Sequence, residues 1–339
     1  MRQVAALAGV SAKTVSRVMN NDRYVSDEVR GRVQQAIRDL QYVPNTLAQS
    51  FRSGRDAAIG IAVPDIADPF FATLIQAAER VAKVRRTAVF VTSLGSDPAD
   101  ERAGVEALLG RRVAGLISTP ISADQAYLKP WQSRTALVFI DRTPKGIIAD
   151  SVVEDDVGGA QTATAHLIGH GHRRIGFIGD ALSVSTTAKR LKGYRTALAG
   201  ADLGNDPVLI ALGATSSDTA AAAARRLLSQ PDPPTAIFSS NARTSIAIVP
   251  VLQAINRTDL ALISFGDFAL ADALDPAVSV IDQDPNSVGE IAATRLFERM
   301  EHPHKRLKRS IVLPVALVAR ASCCPPSWSN PDSSAALGA

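Results

Sequence analysis

From Ala57 onward the chain alternates short apolar runs with amphipathic stretches, and that alternation leaves few folds open. IGIAV, TAVFVTS, VAGLIS, ALVFID, RRIGFIG, TAIFSS and LALISF read as strands buried on both faces, since parallel strands covered by helices are continuously apolar. Residues 70–82 place Phe71, Leu74, Ile75, Ala78 and Val81 on one face at helical spacing. Strands alternating with helices predict doubly wound parallel α/β sheets, with enough units here for two lobes. With 339 residues, 46% of them apolar and 21% charged, the chain can bury cores of that size, and neither disorder nor a fibrous repeat fits.

Other classes are set aside by residue usage. The longest stretch without Asp, Glu, Lys or Arg runs from Val157 to His172 and carries four glycines and three histidines, too short and too polar to span a membrane. The N-terminus lacks the long apolar segment of a signal peptide, because Lys13 and Arg17 interrupt it, and a cytoplasmic protein is expected. Cys323 and Cys324 are adjacent, which leaves no disulfide framework. His166 and His170 are four apart with His172 just beyond, but no Glu or Cys partner lies nearby, so no metal site is expected. Gly158-Gly159 lacks the rest of a phosphate-binding loop, and no nucleophile elbow appears. No enzyme and no cofactor is expected.

The net charge of +4 is informative once divided. Residues 1–56 hold nine Lys/Arg against five Asp/Glu, whereas the rest of the chain holds 28 of each. An excess of positive charge confined to one small segment points to a polyanion. That segment reads as three short helices. Val4, Ala5, Leu7 and Ala8 form the first apolar face, which Gly9 can end. Ser11 is a good N-cap for a helix from Ala12 to Met19, with Val15, Val18 and Met19 turned inward. Ser26 caps a third, with Asp27 and Glu28 in the first turn and Val29, Val33, Ala36, Ile37 and Leu40 as its buried stripe. Two helices joined by a short Gly-containing turn make a helix-turn-helix, whose second helix enters the major groove.

VAALAGVSAKTVSRVMN, VSDEVRGRVQQAI and YVPNTLAQSFRSGR resemble the DNA-binding headpiece and hinge of the LacI/GalR family of bacterial transcription regulators. The similarity continues through VPDIADPFF, RRVAGLI, HLIGHGHRRIGFIG, RLKGYRTAL and LDPAVSVIDQ, and so covers residues 2–320 or thereabouts. The resemblance implies a three-helix headpiece (1–44), a hinge helix or linker (45–56) and a two-lobed, periplasmic-binding-protein-like effector domain (57–320). The first lobe would hold 57–154 and 284–312 and the second 155–283 and 313–320, leaving 321–339 as a disordered tail.

By position, the resemblance puts base reading on Ala12, Lys13 and Arg17. The two cations can donate to guanine, and Ala12 offers only a methyl contact to thymine. Ser11, Thr14, Ser16 and Asn20, with Tyr24 and Ser26, would touch phosphates that set register, although Thr14 and Ser16 also suit plain helix capping. In the hinge, Asn45, Ala48, Gln49 and Phe51 are expected at the DNA. Asn45 would cap a helix from Thr46 to about Arg52, and Phe51 would wedge into the minor groove or else pack on the core. The chain departs from the family pattern at Met1–Gln3, at Gln41 where Gly often ends the third helix, and at Val43 where Arg is frequent.

In open α/β sheets a ligand sits beyond the carboxyl ends of the strands. That rule selects Asp65, Asp68, Phe70 and Phe71 after the first strand, the segment from Asp180 to Arg190, Asn241 and Asp267. The family's effector contacts fall on Phe70, Phe71, Arg190, Asn241 and Asp267, although Phe71 also sits on the core stripe of its helix. An aromatic face, carboxylates, an amide and an Arg suit a sugar or sugar acid. The implied protein is a homodimeric repressor on pseudo-palindromic operator DNA, associated with the nucleoid and controlled by a small effector; a solute-binding receptor with the same lobes is the alternative. The basic run from His304 to Arg309 precedes an apolar strand and reads as a solvated loop, with nonspecific DNA contact as its other reading.

Overall fold

A computed structural model describes residues 1–19, 22–42, 58–257 and 259–323. The chain divides into two compact units, Met1–Ala57 and Ala58–Ala339.

The first unit contains α1 (Arg2–Leu7), α2 (Ala12–Met19) and α3 (Asp27–Asp39). Gly9 takes a φ of 64° and turns the chain between α1 and α2, a conformation that costs glycine nothing. Val4, Ala5, Ala8, Val15, Val18, Val33 and Ala36 form the core of the three helices. Leu40, expected on the buried stripe, is 41% exposed. The reason is local: α3 ends at Asp39, and Gln41, in the left-handed conformation with a φ of 44°, turns the chain back so that Tyr42, not Leu40, packs against the core.

The second unit is built on two six-stranded sheets. The first uses β1 (Ile59–Val63), β2 (Val89–Ser93), β3 (Gly115–Ser118), β4 (Ala136–Ile140), β5 (Asp150–Glu154) and β11 (Ser310–Leu313), in the order β11-β5-β4-β3-β1-β2. The second uses β6 (Ile175–Ile178), β7 (Ile210–Ala211), β8 (Ala236–Ser239), β9 (Ala261–Phe265), β10 (Ser279–Asp282) and β12 (Ala316–Val318), in the order β12-β10-β9-β8-β6-β7. All pairings are parallel except that of β12 with β10. Helices α4 (Pro69–Val84), α5 (Pro98–Gly110) and α10 (Pro285–Glu301) pack with the first sheet, and α6 (Asp156–Gly169), α7 (Ser185–Gly200), α8 (Ser217–Leu228) and α9 (Ala242–Ala254) with the second. Several start on side-chain caps directly after a strand: Asp68 for α4, Asp155 for α6 and Asn241 for α9.

The chain passes between the sheets after Glu154, after Asp282 and after Leu313. Consequently the carboxyl ends of both sets of parallel strands border one crevice. Gly193 lets α7 lie against α6, because a Cβ there would meet the Val157 carbonyl oxygen. Residues 321–323, expected in the tail, belong to the fold. Ala321–Cys323 forms a 3-10 turn in which Ser322 Oγ donates to the Leu262 carbonyl (2.6 Å) and Cys323 is fully buried. Burial of these two side chains against β9 outweighs the polar composition that follows them.

Candidate nucleic-acid interface and effector cleft

In the headpiece, Val15 and Val18 anchor α2 and fix which face it shows to solvent. Ser11, Ala12, Lys13 and Arg17 are exposed, with Thr14 and Ser16 half-buried beside them. Lys13 and Arg17 are four apart and share a helix face. Ser11 Oγ accepts from the Thr14 amide (3.1 Å) and bonds the Thr14 hydroxyl (2.9 Å), so both have capping duties. Arg17 Nε lies 3.7 Å from the Asp22 carboxylate with half its side chain exposed. Such a pair is worth at most about 1 kcal/mol and leaves the guanidinium available. Tyr24 is 78% exposed, and Ser26 caps α3 through the Val29 amide (3.5 Å). Arg23, not singled out from sequence, stacks 5.0 Å from the Tyr24 ring centroid and donates to its hydroxyl (3.0 Å). The signal was a cation next to a turn aromatic. Asn20, Asn45, Ala48, Gln49 and Phe51 lie outside the described residues.

Residues placed on the crevice by sequence fall into two groups. Phe70 and Asp267 line a cavity of about 470 Å³ between the first and second sheets, with Pro69, Thr73, Gln283 and Arg320. Arg320 holds Asp267 through two hydrogen bonds (3.0 and 2.7 Å). Burial alone would raise the Asp267 pKa, but the Arg320 bonds and the Phe268 amide outweigh it and keep the carboxyl below its usual range. Phe71 does not join them: at 6% exposure it packs in the core of the first lobe and meets Phe70 edge to face at 5.1 Å. Consecutive helical residues point about 100° apart, so one ring faces the crevice and the other the sheet.

Arg190 and Asn241 form the second group. Arg190 donates from Nε to Asp156 Oδ1 (2.8 Å) and from Nη1 to the Ser240 carbonyl (2.6 Å), and its guanidinium lies 3.8 Å from the Phe265 ring centroid. Asn241 accepts from the Thr244 amide (2.8 Å) and donates to Asp180 (3.0 Å), which Arg243 also pairs. Asp156, Glu154 and Asp141 were missed as site residues. Glu154 and Asp156 fall where sequence placed only the passage between lobes. Burial pushes the Glu154 carboxyl well up, with Asp141 and Asp156 adding repulsion and Arg190 opposing. Asp156 is raised by burial too, against the pull of Arg190 and Lys189.

Buried hydroxyls and carboxylates without a protein partner gather around these same strand ends: Ser118, Thr119 and both oxygens of Glu154 at the first sheet, Ser240 after β8 and Thr244 in the first turn of α9 at the second. Unmet hydrogen-bonding capacity is costly in a folded interior, and its concentration at one crevice is what a polar ligand site requires. His170 and His172 have structural partners instead, whereas His166 Nε2 is buried without a hydrogen-bond partner among the described residues and its ring meets His170 at 4.4 Å. His170 Nδ1 bonds the His166 carbonyl (2.9 Å), and His172 bonds Thr235 (3.0 Å) and the Cys323 carbonyl (3.4 Å). Among the described residues no helix is long and apolar enough to cross a membrane.

A helix-turn-helix unit joined to a two-lobed α/β domain with a polar crevice defines a ligand-binding transcription regulator. Comparison with known proteins agrees. Residues 1–45 match the family described as bacterial regulatory proteins, lacI family, and residues 164–323 match the periplasmic binding protein-like domain. The ribose operon repressor of Escherichia coli (strain K12) is 30% identical over 322 residues, covering 94% of this chain and 98% of that protein. The HTH-type transcriptional repressor PurR of Aliivibrio salmonicida is 28% identical over 309 residues, covering 90% and 93%. Among solved structures, the lac repressor dimer bound to operator and the anti-inducer ONPF superposes with a TM-score of 0.80 at 25% identity, covering 95% of this chain and 98% of that one. The transcriptional regulator CelR–cellobiose complex gives 0.68 at 28%, covering 94% and 98%. The chain belongs to the LacI family of bacterial regulatory proteins, which are transcriptional regulators and not enzymes.

Proposed function

We propose that this protein is a cytoplasmic, nucleoid-associated homodimeric repressor that reads a pseudo-palindromic operator and releases or tightens its grip when a sugar or sugar acid binds between the lobes. The observation that carries the reading is the α2 surface: an apolar face pinned by Val15 and Val18 leaves Lys13 and Arg17 exposed together on the other. Lys13 and Arg17 read base edges, Ala12 touches a thymine methyl, and Ser11, Thr14, Ser16, Tyr24 and Ser26 position the backbone. Phe70, Arg190, Asn241 and Asp267 recognise the effector, with Glu154 and Asp156 added to that set. The lac repressor dimer and the cellobiose complex of CelR support the dimer, operator and sugar parts of this reading.

An effector acts only through different affinities for the two states of the regulator. The test is a thermal-shift screen of sugars, sugar acids and their phosphates, followed by fluorescence anisotropy on operator DNA. A ligand at about 100 times its Kd adds roughly 2.7 kcal/mol to stability. The reading expects at least one such compound to raise Tm and to shift operator affinity by roughly 5-fold or more. Compounds that raise Tm and leave operator affinity unchanged contradict it.

A further inference from the structure

The two lobes share one plan, and they differ sharply at one place: the turns that lead from a helix into the amino end of a strand. In the first lobe, the turn before β2 carries Arg85 and Arg86, and the turn before β3 carries Arg111 and Arg112. Arg134 precedes β4, and residues 302–309 before β11 bring Lys305, Arg306, Lys308 and Arg309. None of these four turns contains an Asp or Glu. The corresponding turns of the second lobe, residues 170–174, 201–209, 229–235 and 255–260, hold Arg173, Arg174 and Arg257 against Asp202, Asp206, Asp232 and Asp259. There the charges cancel: Arg174 pairs with Asp206 and Asp232, and Arg257 with Asp259.

Cations of the first lobe are largely uncompensated. Arg86, Arg112, Arg306 and Lys308 are exposed and have no acidic partner among the described residues. Arg111 and Arg134 lie over the Phe90 and Trp131 rings (5.8 and 5.9 Å), contacts that leave their charge in place. Two features go beyond a chance excess. Arg86 and Arg112 both occupy left-handed backbone, with φ of 54° and 59°. That conformation costs an L residue roughly 1–2 kcal/mol and is ordinarily given to Gly, Asn or Asp. The matching turns of the second lobe do use Asp202, Asn256 and Gly171 at positive φ. In addition, the 302–309 segment is held in shape from below. Arg299 donates to the Lys305 carbonyl (2.6 Å) and Arg295 to the Lys308 carbonyl (2.8 Å), both guanidiniums being fixed on the buried Asp150.

All four turns sit at the end of the first sheet where the chain enters it, since Ala58 leads directly into β1. We propose that this face of the effector domain is a second DNA-contacting surface, which binds phosphates of the duplex and adds affinity without reading sequence. The proposal rests on the DNA-binding function above. Phosphate is the partner that unpaired, mostly Arg surface charge suits best, through bidentate and salt-sensitive contacts.

The test uses the full chain and a duplex recovered from a random library by selection on the wild-type protein, in a form trimmed to the selected site and a form with 15 flanking base pairs on each side. The variant is Arg86→Gly/Arg112→Gly/Arg306→Ala/Lys308→Ala, in which glycine relieves the two strained positions. A second variant, Arg306→Ala/Lys308→Ala, changes only the exposed segment. Expected is a loss of affinity confined to the flanked duplex, with the slope of log K against log salt falling by about 0.9 for each phosphate contact removed. Base preference stays as in the wild type, Tm is unchanged in the double variant and does not fall in the glycine-containing one, and Arg86→Lys/Arg112→Lys/Arg306→Lys keeps the wild-type slope. If both alanine-containing variants bind the flanked duplex with wild-type affinity and slope, the surface serves another partner, such as an acidic protein, and the proposal is wrong. If the wild-type chain selects no duplex, the DNA-binding reading fails and this one with it.

Discussion

Arg190 and Asp156 form a buried ion pair, Nε to Oδ1 2.8 Å, that ties the start of α6 to α7 at the floor of the crevice. A second Arg190 nitrogen is taken by the Ser240 carbonyl, and Nη2 has no protein partner among the described residues. The residue therefore neutralises a buried carboxylate, and on the proposed reading its remaining donor nitrogen serves an effector. Arg190→Ala removes both. Truncating one member of a buried pair costs about 3–5 kcal/mol, so Tm falls along with the effector response. Arg190→Lys recovers part of the stability but not the response, because an ammonium lacks the planar fork. Thermal denaturation with and without effector checks this, and an unchanged Tm for Arg190→Ala refutes the structural role.

Glu154 predicts a pH dependence. Burial, with Asp141 and Asp156 nearby and only Arg190 opposing, raises its folded pKa above the unfolded value. Between those two values the folded chain binds more protons, so this carboxyl lowers stability progressively as pH rises from about 4.5. Glu154→Gln removes that slope. Its Tm relative to wild type is expected to increase from pH 4.5 toward neutrality. A Tm difference that stays constant across that range contradicts the account.

Arg17→Ala is expected to cost roughly 1–3 kcal/mol on the operator and to relax discrimination at one base pair. Anisotropy against single-base-pair operator variants measures it. An equal loss on every sequence would make Arg17 a phosphate contact.

Gly193→Ala tests the packing that positions Arg190, three residues earlier on α7. A methyl group forced against the Val157 carbonyl pushes α6 and α7 apart, at a cost of about 1–3 kcal/mol. Tm is expected to fall and effector affinity with it; a wild-type Tm contradicts the close approach.

How much of this was legible in the sequence depended on whether a residue's partner is close in the chain. Strands such as IGIAV and ALISF announce themselves, because a strand buried on both faces needs no particular neighbour. Ser26 and the α2 face follow from spacing alone. β5 was harder to see, because DSVVE begins and ends on carboxylates. Asp150 is tolerated there through Arg295, Arg299 and Arg309, more than a hundred residues away. Glu154 and Asp156 were missed for the same reason, their surroundings being assembled from β4 and α7. Phe71 carried two readings, a ligand contact by resemblance and a core residue by its helical stripe, and the core reading is the one the structure shows.

The central claim is that the headpiece reads duplex DNA as a symmetric pair. Sequencing of random duplexes retained by the full-length protein tests it most directly. The account predicts enrichment of a two-fold symmetric site whose half-sites lie about one helical turn apart, with guanines in register with Lys13 and Arg17. Retained duplexes with no common site, at low and moderate salt alike, would contradict it.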